Sequence, residues 1–287
     1  MSNRPRPTVR RRKLGGELRR LREAAGVSLE QAAERIGGEK SKISRQETGR
    51  QGVRKLELEA LFELYSVTDE RLKTALTTLS RESRRKNWWA PYGEILGEEF
   101  QERLSIESEA VRTQLFQPLL VPGPLQTRAY AEVLIRGAAR DTDAGHIESL
   151  IDLRTERQKV LQEKKSQVLC LLDEAVLRRA IGGPEVMREQ LQKLLDVNNP
   201  PMLSIQIVPF GQGWHAGLDG PFGIFSYPDP MDLDVVSIEY LDGVRYLEEN
   251  EPVERYKLAF DQLRASALPS KQSMDLITQV MRDLKKT

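Results

Sequence analysis

The sequence predicts an all-α N-terminal domain of about five helices, followed by an α+β domain built on a mostly antiparallel sheet. Three observations predict it. Apolar residues recur at i, i+3 and i+4 across residues 14–80. Beyond residue 202 the pattern changes to short apolar runs, with a hairpin signal at Asp242-Gly243. The charge is also divided. Residues 1–86 hold 22 Lys and Arg against 12 Asp and Glu, a net of +10, while the remainder holds 22 against 31. A near-neutral chain thus hides a basic half and an acidic half, and the basic half is the helical one.

The first helical period runs through Leu14, Leu18 and Leu21 and stops at Gly26. Ser28 and Gln31 have the spacing of a capping box, opening a second helix with Leu29, Ala32, Ala33 and Ile36 on one face. Ala33 is small where two helices must cross closely, and Gly37 supplies the positive φ of a tight turn. A third helix, 39–48, follows around Ile43. Helix, three-residue turn, helix is the layout that presents its second helix to DNA, so 39–48 is the expected reader of the major groove. Segments 55–65 and 68–80 complete the five, with Leu56, Leu61, Leu64, Leu72, Leu76 and Leu79 facing inward and Thr68 as the expected N-cap.

On these residues the segment resembles the Cro/repressor-type, or xenobiotic-response-element, family. The resemblance rests on L-R-x-x-x-G at 21–26, the small Ala33, the Ile36-Gly37 turn and I-S-R-x-E-x-G at 43–49. It implies that Lys40, Ser41, Ser44 and Arg45 face the groove, where an arginine fork can bind guanine O6 and N7. Lys42, Arg50 and Arg54 would touch phosphate, adding affinity without sequence choice. It also implies a structural ion pair between Arg22 and Glu47. Gln46 departs from the family, in which an apolar residue is common at this position.

Residues 1–13 carry six basic residues and no acidic one, interrupted by Pro5 and Pro7. They read as a disordered arm, either brushing phosphates or the minor groove or simply solvated. Residues 81–92 read as a connector, and Trp88-Trp89 beside Pro91 as a domain edge or a base-stacking surface. The second domain, 93–287, alternates. Helical period covers 97–110, 127–136, 147–162 and 184–197, with 115–125 extended or turning. Strands are expected at 167–172, 203–208, 222–227, 235–240 and 244–247, and helices close the chain at 253–265 and 271–285.

This half is similar to the C-terminal domain of actinobacterial WhiJ-like regulators. The matching residues are a Trp at the domain start, V-P-G-x-L-Q-T at 121–127, L-D-E-A-V-L-R at 172–178, I-G-G-P-E-V-M at 181–187 and I-V-P-F-G…H-A-G-L-D-G-P-F from 207 to 222. The resemblance implies a regulator, often working with a small partner protein in an antitoxin-like arrangement. Leucine is usual where this chain has Pro124, and a proline there fixes φ and removes a donor.

The best candidate for chemistry is the glycine-rich run 211–220, in which His215 and Asp219 could pass a proton. Its alternatives are a flexible link between strands and a ligand or partner loop formed by Trp214, His215 and Asp219. Asp173 and Glu174 read as helix-capping carboxylates. Cys170, alone in an apolar run, reads as inert packing, and with only His146 and His215 no metal set is expected. At 39% apolar and 30% charged, with no apolar run near 18 residues and no secretory leader, the chain reads as cytoplasmic with no membrane partner. The expectation is a sequence-specific regulator of double-stranded DNA that acts as a homodimer, without cofactor and not an enzyme. The alternative is an antitoxin-like module whose C-terminal domain binds a small protein or ligand, with DNA binding secondary.

Overall fold

The computed structural model describes residues 9–82, 88–93, 95–138, 143–163, 166–227, 234–241 and 243–284. Five helices come first: α1 (Val9–Ala24), α2 (Leu29–Arg35), α3 (Lys40–Glu47), α4 (Lys55–Leu64) and α5 (Glu70–Glu82). Their inner faces meet in one core of Leu14, Leu18, Ala33, Ile43, Leu58, Leu61, Phe62 and Leu76, all nearly inaccessible to solvent. That is the face marked by the i, i+3, i+4 spacing.

Three expectations change here. Residues 9–13, assigned to the disordered arm, are the first turns of α1; the helix starts two residues past Pro7, beyond the reach of the proline's effect on its neighbours. Residues 1–8 of that arm lie outside the described residues. Thr68 does not cap α5. Asp69 does, its Oδ1 accepting from the amides of Arg71 at 2.8 Å and Leu72 at 3.2 Å, because a carboxylate serves two orphan donors better than a hydroxyl. Leu56, expected inside, is 79% exposed: α4 turns Leu58 and Leu61 inward instead.

The chain divides into two compact units between Ile106 and Glu107, inside α6 (Glu98–Glu109), rather than in the expected connector at 81–92, of which 83–87 lie outside the described residues. Within the first unit, Arg12 of α1 forms an ion pair at 2.5 Å with Glu102 of α6, whose side chain is 5% exposed. Trp89 is buried in this unit, with Trp88 edge-on to it at 5.6 Å.

The second unit is α+β. Its six-stranded sheet has the order β3-β2-β1-β4-β5-β6, with β1 (Arg112–Gln117), β2 (Gln167–Asp173), β3 (Leu203–Val208), β4 (Phe222–Ser226), β5 (Val235–Tyr240) and β6 (Gly243–Leu247). Three of the five pairings are antiparallel; β1–β2 and β2–β3 are parallel, each needing a helical crossover. The first crossover is α7 (Arg128–Ala138) with α8 (Ala144–Glu163). The second is α9 (Glu174–Arg178) with α10 (Gly183–Val197). Asp242, half of the expected hairpin turn between β5 and β6, lies outside the described residues.

One sheet face packs Phe116, Leu171, Phe222, Ile224 and Val236 against Val253, Phe260 and Leu263 of α11 (Asn250–Ser266). The edge strand β3 is covered. Leu268 N donates to Ile207 O at 2.8 Å, and Ile207 N donates to Ser273 Oγ of α12 (Ser270–Asp283) at 3.0 Å. Edge groups that would otherwise recruit another chain are thereby satisfied.

The run 121–127 becomes a buried polar knot. Gln126 Nε2 donates to Val121 O, Gln190 bridges Leu125 O and Thr127 N, and Lys193 Nζ reaches Gln126 O. Pro124 stands at the start of a short 3-10 turn, where a helix leaves its first amides unpaired and a missing donor costs nothing. Among the described residues no helix is long and apolar enough to cross a membrane, and no cluster of His, Cys, Asp or Glu could hold a metal ion.

Candidate nucleic-acid interface

The helix pair α2–α3 is fixed from both ends. Gln31 N donates to Ser28 Oγ at 3.2 Å and Ser28 N to Gln31 Oε1 at 2.8 Å, completing the capping box that starts α2. At its other end Gly37 takes φ +61°, and Gly38 N donates back to Ala33 O at 2.9 Å. That left-handed residue turns the chain into α3, and glycine enters it without a Cβ clash.

α3 has a sharp inside and outside. Ile43, Gln46 and Glu47 are buried, while Lys40, Ser41, Ser44, Arg45 and Thr48 are exposed. Glu47 is clamped by Arg22: Nε donates to Oε1 at 2.6 Å and Nη2 to Oε2 at 3.0 Å, while Nη1 donates to Val27 O at 3.0 Å in the α1–α2 loop. The two side chains are 11% and 7% exposed. The bond to Glu47 holds the Arg22 guanidinium above its usual pKa, against the opposing effect of desolvation. Burial pushes the neighbouring Tyr65 phenol up to about 12.

On the outer face, Lys40 Nζ lies 2.6 Å from Glu30 Oε1, with both side chains 61% exposed, so water can replace this bond and DNA can compete for it. Ser41 Oγ donates to Glu39 Oε2 at 3.2 Å. Arg45 Nε donates to Gln51 Oε1 at 3.1 Å, a bond that orients the guanidinium plane while its two terminal amino groups have no partner among the described residues. Arg50 and Arg54 are exposed beside this face.

Lys42 is placed differently from the expected phosphate contact. Its Nζ pairs with Glu57 of α4 at 2.8 Å, and it is only 23% exposed. Glu57 also accepts from Gln46 Nε2 at 2.9 Å and from Arg54 N at 3.0 Å. Desolvation raises the Glu57 carboxyl pKa, but the Lys42 ammonium, the Arg54 amide and Gln46 outweigh it and bring the net value down. Lys42 would have to leave this hub to reach a phosphate.

The 211–220 loop does not bring its two candidates together. Asp219 is exposed, whereas His215 is 6% exposed and turns toward β2. Its Nε2 lies 3.3 Å from Asp173 Oδ2, and its Nδ1 accepts from Gly217 N at 3.2 Å. An accepting Nδ1 leaves the ring proton on Nε2, on the side of the ring that lies near Asp173. Asp173 also caps α9, accepting from Ala175 N at 2.8 Å, and Glu174 accepts from Phe210 N at 2.9 Å. His215 is therefore a latch that pins the loop to the end of β2. Gly217 sits over the Phe116 ring, where a Cβ would lie 2.2 Å from a ring carbon. The latch leaves Trp214 76% and Leu218 61% exposed. Burial raises the pKa of the Cys170 thiol, which keeps it protonated and unreactive.

A family model described as a helix-turn-helix domain matches residues 13–75, and one described as a domain of unknown function (DUF5753) matches residues 100–279, more than half of the chain. The chain belongs to the DUF5753 family. No curated protein and no solved structure matches it. The helix-turn-helix of this DUF5753 chain suggests DNA binding.

Sequence reading missed the packing role of three residues in it. Glu57 was legible only as one more charge on an amphipathic helix; its three partners come from two other segments. Gly15 lies mid-helix, where a Cβ would fall 2.4 Å from the carbonyl oxygens of Gln46 and Glu47. Gly49 combines φ +73° with a Cβ position 2.7 Å from Arg12 N. For Gly15 the available signal was a glycine inside a helical period, since that placement costs about 1 kcal/mol and calls for a packing reason.

Proposed function

We propose that this chain is a sequence-specific, DNA-binding transcriptional regulator of the Cro/repressor type, with α3 entering the major groove. One observation carries the reading. α3 is locked on its inner side by Ile43 and by Arg22–Glu47, while Lys40, Ser41, Ser44 and Arg45 stand outward on a rigid rod. Phosphate contacts come from Arg50 and Arg54, and the net +10 of residues 1–86 supplies the long-range attraction. A second copy of the chain engages a second half-site about 34–36 Å along the duplex, one helical turn away. No catalytic role is assigned to the His215 loop, whose imidazole is buried near Asp173 and accepts from Gly217 N.

Selection of random duplexes by the full chain tests this. The expected result is a shared motif with two related half-sites one turn apart. A pool with no enriched motif would contradict the reading. It would favour instead an antitoxin-like module in which the exposed Phe210, Trp214 and Leu218 capture a small partner protein.

A further inference from the structure

We propose that Gln51 is a specificity-determining positioning residue, which aims Arg45 so that the guanidinium meets guanine end-on. The proposal rests on α3 reading bases, and it names what makes that reading selective. α3 closes at Thr48, whose Oγ1 donates to Ser44 O at 2.8 Å, and Gly49 then takes φ +73°. That left-handed residue folds the chain back along the helix it has just left. Gln51 N donates to Arg45 O at 3.0 Å, and Arg45 Nε donates to Gln51 Oε1 at 3.1 Å. The two residues are therefore joined twice, once through backbone and once through side chains. The backbone bond holds the root of Gln51 beside the root of Arg45. The side-chain bond then orders fewer torsions than one between unrelated surface residues.

The atom that Gln51 binds decides what Arg45 can recognise. A guanidinium offers two kinds of fork, one from Nε with an amino group and one from the two amino groups. Gln51 occupies Nε and leaves the end-on fork of Nη1 and Nη2. Of the four bases, only guanine sets two acceptors, O6 and N7, side by side on its major-groove edge; adenine sets a donor beside N7. A parallel pair of donors held in one plane matches that edge. An untethered arginine would turn to whichever phosphate oxygen it reached, which adds affinity without choice.

The test measures the affinity of the full chain, at one salt concentration, for three duplexes. They are the selected duplex, the same duplex with the G·C pair that Arg45→Ala ceases to distinguish replaced by A·T, and a random duplex. Gln51→Met keeps the side chain's length and deletes the acceptor. It is expected to cut the guanine preference about 2- to 10-fold, the worth of one hydrogen bond, with the loss falling on the G·C duplex and not on the random one. Gln51→Glu restores an acceptor and should keep the preference, while its charge weakens all three duplexes alike. In the Arg45→Ala background Gln51→Met should add no further loss, because the two residues act as one unit. Without DNA, the Arg45 Nε proton should exchange with water faster in Gln51→Met than in the parent chain, read by nuclear magnetic resonance on labelled arginine.

An undiminished guanine preference in Gln51→Met overturns the proposal. So does a further loss in the Arg45→Ala background, which makes Gln51 a direct contact to DNA. Loss of the preference in Gln51→Glu, or unchanged Nε exchange in Gln51→Met, overturns it as well. A parent chain with no preference at any base pair is a different failure: it contradicts the base-reading function itself, and this proposal with it.

Discussion

Arg22→Ala will lower folding stability by about 3–5 kcal/mol, measured by urea unfolding of the full chain followed by far-ultraviolet circular dichroism. The substitution leaves Glu47 as a buried carboxylate stripped of both its donors, and it also strands Val27 O, which anchors the loop between α1 and α2. The cost comes from the uncompensated charge more than from the lost attraction. The double variant Arg22→Met with Glu47→Leu should therefore recover most of the loss, because replacing both partners with apolar side chains removes the desolvation penalty. A loss below about 1 kcal/mol, the range of a surface pair, would show that water reaches Glu47 and that the clamp does not hold α3.

Two adjacent glycines should respond with opposite signs. Gly15→Ala is expected to destabilise the chain by about 1–3 kcal/mol, the usual cost of overpacking, because the new methyl meets two backbone carbonyl oxygens that cannot move without shifting α3. Gly16→Ala meets nothing within 4 Å and should stabilise by up to about 1 kcal/mol, the helix-propensity difference. Thermal and urea unfolding of the two variants side by side separates the readings. Stabilisation by both would mean that α1 and α3 do not approach as closely as the structure places them.

Periodicity was most legible where a helix has one wet face. Leu14, Leu18, Ala33, Ile43, Leu61 and Leu76 all occupy the core that their spacing predicts. Capping chemistry was legible where two residues share a reciprocal pattern, as in Ser28 with Gln31, and misread where adjacent residues compete, as Thr68 did with Asp69. The central strand β1 was the main loss. Arg112-Thr113-Gln114-Leu115-Phe116-Gln117 reads as polar, yet four of its six residues are buried, because strands pair with it on both sides and satisfy its backbone. Polar residues buried by pairing leave no trace in a hydrophobicity pattern.

The candidate interface divides the same way. The outward positions on α3 follow from helical geometry once Ile43 is known to point inward. The fate of Lys42 does not, because its partner Glu57 comes from the next helix, and a contact between residues 15 positions apart has no sequence signature. His215 shows the same limit. Asp219 is its sequence neighbour, but Asp173 lies at the end of a strand 42 positions earlier, and only the parallel sheet brings the two within reach.

The central claim is that α3 reads bases through Arg45. Its most direct measurement is the affinity of the full chain and of Arg45→Ala for the selected duplex and for a random duplex at one fixed salt concentration. The account predicts that Arg45→Ala loses about 1–3 kcal/mol of discrimination, concentrated at one base pair. Arg50→Ala should weaken both duplexes alike and make the salt dependence shallower. Equal losses on both duplexes for Arg45→Ala would contradict the claim.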